Sequence, residues 1–178
     1  MQNKFSSNAP YAPAEDTYFL EDYLFNEKGN YALDIGTGSG YLTRTLSQNF
    51  SHVIATDIDF NSLINQNKKA ENRICCDAAE ALNCKFDLIV CNMPYLQSDE
   101  VSDRRVDGGK EGIEVPLKII KSAIKCLSDS GKMLFVTSSL SNYEKLIEES
   151  KKLSLNCSIV ARKKLFFEEL LLVKASRL

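Results

Sequence analysis

Apolar positions along this chain follow two alternating rhythms. Short dense runs give way to longer stretches in which only every third or fourth position is apolar. The dense runs at residues 31–35, 53–57, 73–76, 86–91 and 132–137 predict five strands. Between them, residues 41–49, 61–71, 113–127 and 142–153 predict helices, with Leu42 and Leu46 on one face of the first and Asn61 placed to cap the second. Residues 14–26 predict a further helix after Pro13, since Phe19, Leu20, Tyr23 and Leu24 recur at helical spacing. Two last runs, 157–162 and 168–174, lie too close together for a helix between them, so they predict an antiparallel hairpin.

Repeated strand–helix units require a parallel sheet with helices on both faces. The nearly unbroken apolar run 86–91 suits a strand buried on both sides. The expectation is an α/β, doubly wound fold of five parallel strands and a C-terminal antiparallel hairpin, with 1–178 as a single domain. In such sheets ligands bind beyond the carboxyl ends of the strands, where the strand order reverses. One connection is long, residues 93–112, and loops of that length are commonly functional.

Charge and composition narrow the classes. A net charge of −2 disfavours a nucleic-acid partner gripped through phosphates. No apolar run reaches membrane-spanning length, and residues 1–13 lack the apolar core of a signal peptide, so a cytoplasmic protein is expected. The six cysteines, at 75, 76, 84, 91, 126 and 157, form no Cys-x-x-Cys pair, and His52 is the one histidine. Zinc-ligand spacing is therefore absent, and buried, reduced thiols and a surface His52 are expected.

The chemistry concentrates at strand ends. "LDIGTGSG" supplies Asp34, Gly36, Gly38 and Gly40. The dinucleotide fingerprint G-x-G-x-x-G would need its third glycine at position 41, which is Tyr41. An acid two residues before the first glycine suits an adenosine ligand with a cationic amino-acid tail. Asp57, ending "VIATD", can take both ribose hydroxyls. Asp77, after "RICC", is placed to accept from an adenine amino group.

"FDLIVCNMPYL" then runs a buried strand into Asn92, Met93, Pro94 and Tyr95. A planar amino group is a poor nucleophile because its lone pair is delocalised. Two acceptors aimed at its two hydrogens fix it and favour pyramidal nitrogen. The Asn92 side-chain oxygen is one acceptor. The Met93 carbonyl is the other, since Pro94 biases Met93 toward extended geometry. Tyr95 can pack on the flat group.

These segments resemble the motifs of Rossmann-like, class I S-adenosylmethionine-dependent methyltransferases, and "NMPY" resembles the Asn-Pro-Pro-Tyr motif of those acting on planar amino nitrogens. "YAPAEDTYFL" and residues 106–115, "VDGGKEGIEV", are similar to signatures of the HemK-like glutamine methyltransferases of archaea and eukaryotes. About thirty residues precede the first strand, too few for the helical domain of the bacterial relatives, which points to the same branch. The resemblance implies a seven-stranded, mostly parallel sheet, with residues 1–29 as a helical segment packed on the cofactor site. It implies methyl transfer to the glutamine amide of the Gly-Gly-Gln loop in a class I release factor, and a small zinc-binding activator forming a heterodimer. It places Thr17, Asp34, Gly36, Gly38, Asp57, Asp77, Ala78 and Asn92 at S-adenosyl-L-methionine, and Asn92, Met93, Pro94 and Tyr95 at the acceptor amide. Met93 stands where the family has its first proline. The competing expectation is methylation of an adenine amino group in DNA or RNA, which the same chemistry fits.

Overall fold

The computed structural model describes residues 12–66 and 72–178. Residues 1–11, including Tyr11 of the N-terminal signature, and the second half of the helix expected at 61–71 lie outside the described residues.

In chain order the elements are α1 (Glu15–Leu24), β1 (Gly29–Ile35), α2 (Tyr41–Leu46), β2 (Phe50–Asp57), α3 (Phe60–Ile64), β3 (Asn72–Cys75), β4 (Phe86–Asn92), β5 (Leu96–Gln97), β6 (Asp107–Gly109), α4 (Glu114–Ile124), β7 (Leu127–Ser138), α5 (Tyr143–Lys152), β8 (Leu155–Lys164) and β9 (Glu169–Arg177). Seven of the strands form one sheet in the order β3-β2-β1-β4-β7-β9-β8. β9 alone runs against its neighbours, pairing antiparallel with β7 and β8. The expected mostly parallel sheet with a terminal hairpin is what the chain forms.

Alternation along the central strands builds the two cores. In β4, Phe86, Ile89 and Cys91 point to one face, where Ile120, Ala123 and Leu146 from α4 and α5 cover them. Leu88 and Val90 point to the other, against Phe19, Leu20, Leu42 and Leu46 from α1 and α2. Both faces are therefore apolar, which is why the run at 86–91 shows no polar alternation.

The differences from expectation are local. α2 stops at Leu46, three residues early. α4 ends at Ile124 and β7 begins at Leu127, with an irregularity that lets Leu127 pair with Phe86 while Lys132 pairs with Leu88. Gly131 permits this, since a Cβ there would stand 2.6 Å from the Phe86 carbonyl oxygen. Cys91, Cys126 and Cys157 are buried as expected, but Cys75 and Cys84 are exposed. Cys75 sits at the end of β3, which among the described residues has a neighbouring strand on one side only. His52 is at the surface, stacked on Tyr31 with centroids 4.8 Å apart.

The long connection is not featureless. β5 and β6 pair within it, and Asp107 accepts from the backbone nitrogens of Ser102 and Asp103 at 2.8 and 2.7 Å. Gly112 locks the loop to the segment after β4. It has φ +69°, and an added Cβ would collide with the Tyr95 carbonyl oxygen and lie 2.7 Å from the Ser141 Cβ. Neither neighbour is a flexible side-chain tip. Gly112→Ala should therefore cost about 2–4 kcal/mol, read as a lowered midpoint in urea unfolding. A midpoint equal to wild type would show that the loop is not packed this way.

Candidate active site

The strand order reverses between β1 and β4. Ile35 pairs with Cys91 there, so Gly36 and Asn92 leave the sheet side by side. On the other flank Ile35 pairs with Thr56 and Asp57 with Cys75, which sets Asp57 and then Asp77 on successive strand tips.

The glycine turn folds back on β2. The Gly36 and Thr37 nitrogens both donate to the Thr56 carbonyl, at 2.9 and 3.0 Å. Gly36 has φ +70°, and a Cβ added there meets nothing within 4 Å. The backbone geometry demands glycine, and the exposed side of the turn opens onto free space that a ligand can occupy. Gly38, with φ +50°, donates its nitrogen to Asp57 Oδ2 at 2.9 Å, while the Asp59 nitrogen donates to Asp57 Oδ1 at 2.9 Å. Burial still raises the Asp57 carboxyl above its usual range against these two bonds. A carboxylate has about four acceptor sites, and the Gly38, Ile58 and Asp59 nitrogens engage three of them, which leaves acceptor capacity for a ribose hydroxyl.

Asp34 sits under the glycine turn. It is 1% exposed beneath the turn, and its Oδ2 accepts the Thr43 hydroxyl at 2.5 Å. Thr43 and Thr37 hydroxyls lie 2.8 Å apart. The carboxyl therefore holds the threonines of the turn and of α2 instead of facing open space. Burial pushes it up to about 6, the threonine hydrogen bonds opposing the rise. Asp77 is exposed, and Ala78 has the left-handed φ of +46°, rare for a side chain with a Cβ. Both line a cleft of about 300 Å³ with Ser122 and Lys121 of α4.

Asn92 is held from one side only. Its Nδ2 donates to Thr17 Oγ1 at 3.3 Å, and its Oδ1 is buried with no hydrogen-bond partner among the described residues. A buried acceptor left unmet costs about 1–3 kcal/mol, and this one remains available to an incoming donor. Thr17 is itself fixed, its nitrogen and hydroxyl donating to Asp16 Oδ1 at 2.6 and 3.2 Å. α1 is fastened in turn to α2, because Glu21 accepts the Tyr41 and Thr45 hydroxyls at 2.8 Å each.

Met93 is 2% exposed and packs in the core cluster with Ile113. Packing restrains it where a proline ring is missing. Pro94 and Tyr95 are half-buried, and Tyr95 packs against the cluster on the α1 side. Sequence reasoning passed over Asp16, Glu21, Thr43 and Gln66. Asp16 lay inside the quoted "PAEDT" and was legible there. Gln66, whose Nε2 donates to the Gly38 carbonyl at 3.0 Å, follows a helix and carried no signal.

The chain is similar to known proteins in sequence and fold. The Methyltransferase small domain family matches residues 14–167. A Methanocaldococcus jannaschii protein, provisionally named a protein N5-glutamine methyltransferase, is 32% identical over 184 residues, covering 94% of this chain and 92% of its own. The release factor glutamine methyltransferase of Lactococcus lactis is 33% identical over 144 residues, covering 68% of this chain and 53% of its own, so the likeness spans about half of that protein. Among solved structures, the E. cuniculi Mtq2–Trm112 complex, described as responsible for methylation of the eRF1 translation termination factor, superposes with a TM-score of 0.82 at 23% identity, covering 96% of this chain and 99% of that one.

Two outcomes follow from the geometry. The Asp34 carboxyl is raised in the folded state, so its contribution to stability is full below about pH 4 and is lost as pH rises through about 6. Urea unfolding at pH 4 and pH 7 should show wild type losing about 3 kcal/mol that Asp34→Asn retains; parallel profiles would refute the buried carboxyl. Thr17→Val should leave Asn92 unanchored and lower kcat about 10- to 100-fold with a smaller change in KM, and Thr17→Ser should restore most of it. Equal loss in both variants would mean that the hydroxyl does not orient Asn92.

Proposed function

Because this chain belongs to the Methyltransferase small domain family, we propose that it transfers a methyl group from S-adenosylmethionine to the side-chain amide nitrogen of the glutamine in the Gly-Gly-Gln loop of a class I peptide chain release factor. The likeness to the archaeal N5-glutamine methyltransferase along nearly the whole chain supports that acceptor. The observation that carries the reading is the buried, unmet Asn92 Oδ1 beside the Met93–Pro94 bend.

The residues present fit the cofactor. The open space over Gly36, the remaining acceptor sites on Asp57, and Asp77 and Ala78 on the next strand tip would take its amino-acid tail, ribose and adenine in that order. Thr17 and Asn92 close the other side. Asp34 would act beneath the turn, holding Thr37 and Thr43 in place. When bound, the cofactor supplies an electrophilic methyl on a sulfonium.

The work of the chain is to present the nitrogen. Asn92 Oδ1 accepts one amide hydrogen and the Met93 carbonyl the other, so the lone pair turns out of conjugation and toward the methyl. Holding the two in line accounts for much of the acceleration. The nitrogen becomes acidic only as its new bond forms, so no strong base is needed. Tyr95 flanks the amide plane.

A partner belongs to this reading. Among the described residues β3 is a sheet edge, pairing with β2. Ile58, Phe60 and Ile64 beside it are exposed at 43, 60 and 42%. An apolar edge invites strand addition, and the small zinc-binding activator implied by the resemblance is the proposed occupant. Among the described residues no helix is long and apolar enough to cross a membrane, and a release-factor substrate assigns the enzyme to the cytoplasm.

Transfer of labelled methyl to the release factor, its Gln→Ala loop variant and an adenine-rich oligonucleotide, each with and without the activator, tests this directly. Label is expected on the wild-type factor only. Label on the oligonucleotide would move the acceptor to adenine. Asn92→Ala should abolish transfer while cofactor affinity stays within about tenfold, and near-full turnover would remove Asn92 from the mechanism.

A further inference from the structure

At the tip of the β8–β9 hairpin, Phe166 and Phe167 are 92 and 86% exposed. Their rings meet edge to face with centroids 4.6 Å apart, yet they touch no core. Together they offer about 300–400 Å² of apolar surface, large for one turn of a soluble domain. The turn is ordered, not loose. The Leu165 nitrogen donates to the Glu168 carbonyl at 2.8 Å, and Lys164 pairs with Glu169.

This tip lies on the same edge of the sheet as Asn92. Asn92 pairs with Val136 in β7, and two residues on, Ser138 pairs with Leu170, which pairs with Lys163. Three strand spacings, about 14 Å, separate β4 from β8, and the tip stands about 15 Å further along the strand axis than Asn92, so the two are about 20 Å apart, roughly six extended residues. Two sets of contacts join the tip to the site. Ser139 exchanges hydrogen bonds with Glu169, each at 2.9 Å, and Ser139 begins the wall of a cleft of about 400 Å³ that Gln97, just beyond Tyr95, lines on the other side. Tyr143 of the same cleft lies against Arg162 of β8. On the opposite face Lys163 pairs with Glu15 at 2.7 Å, at the start of the helix whose Thr17 holds Asn92.

We propose that Phe166 and Phe167 form a docking anchor for the acceptor protein. Resting on the glutamine reading above, the chain flanking the acceptor residue runs extended from Asn92 across the Gln97–Tyr143 cleft and seats an apolar side chain on the phenylalanine pair. Charge favours a protein occupant over a membrane or a nucleic acid. Of the three cations by the tip, Arg162 is engaged with Glu169 and Lys163 with Glu15, each at 2.7 Å, and exposed Lys164 stands near Glu168 and Glu169, so the tip carries no net cationic patch for phosphate.

The test is a double variant, Phe166→Ser with Phe167→Ser, in the full chain with its activator. Transfer is measured to the whole release factor and to a short Gly-Gly-Gln peptide, beside cofactor affinity by calorimetry and binding to phosphatidylcholine–phosphatidylglycerol vesicles. The expected result is a KM for the whole factor raised about tenfold or more, with kcat, peptide turnover and cofactor affinity unchanged. An unchanged KM overturns the anchor and leaves the glutamine reading intact. Equal loss on peptide and factor also overturns it, since the pair would then be acting through the fold. Vesicle binding that the variant loses, with KM unmoved, reassigns the pair to lipid. A wild type inactive on both acceptors sinks the glutamine reading and the anchor together.

Discussion

The site depends on a single hydrogen bond that leaves another unmade. Thr17 takes the Asn92 amide nitrogen at 3.3 Å, and this fixes Asn92 Oδ1 in a buried position with no donor among the described residues. An asparagine free to rotate would turn its oxygen to water or to a backbone nitrogen and relieve the cost. Asp16 prevents that by holding Thr17, and the Glu21 contacts with Tyr41 and Thr45 prevent α1 from lifting away. The unmet acceptor is thus maintained by three successive layers of satisfied polar groups.

The sheet supplies the rest by register. Because β1, β2 and β4 are parallel and in step, the residues just beyond their last pairs converge without any long-range instruction. Gly36, Asp57 and Asn92 are neighbours because Ile35, Thr56 and Cys91 are paired. The hairpin extends the same end of the sheet sideways, which is how a turn some seventy residues further along the chain comes to stand on the same side of the sheet as Asn92.

Much of this was legible in the sequence where a residue's environment is set by its own strand. The run at 86–91, the glycine turn and the terminal hairpin were read with their boundaries close to those observed. The hydrogen bond from Thr43 to Asp34 was not, because a position two residues before Gly36 gives no sign that the carboxyl is buried under the turn. That contact spans nine residues and depends on how α2 packs. Gln66 and the irregular entry into β7 escaped for the same reason, since both are settled by tertiary neighbours. The aromatic pair at the hairpin tip was present in the sequence, but its isolation from both cores appears only in three dimensions.

Met93 shows how one rigidity can replace another. A proline ring constrains its backbone covalently, and that constraint is the same in a warm protein as in a cold one. Here the constraint comes from a side chain sunk in the core among Ile113, Phe135 and Cys91. Such a constraint is cooperative and belongs to the whole cluster. The Met93 backbone therefore keeps its direction only while the surrounding core stays solid, which ties the geometry of the bend at Pro94 to the packing of the interior and not to a covalent ring.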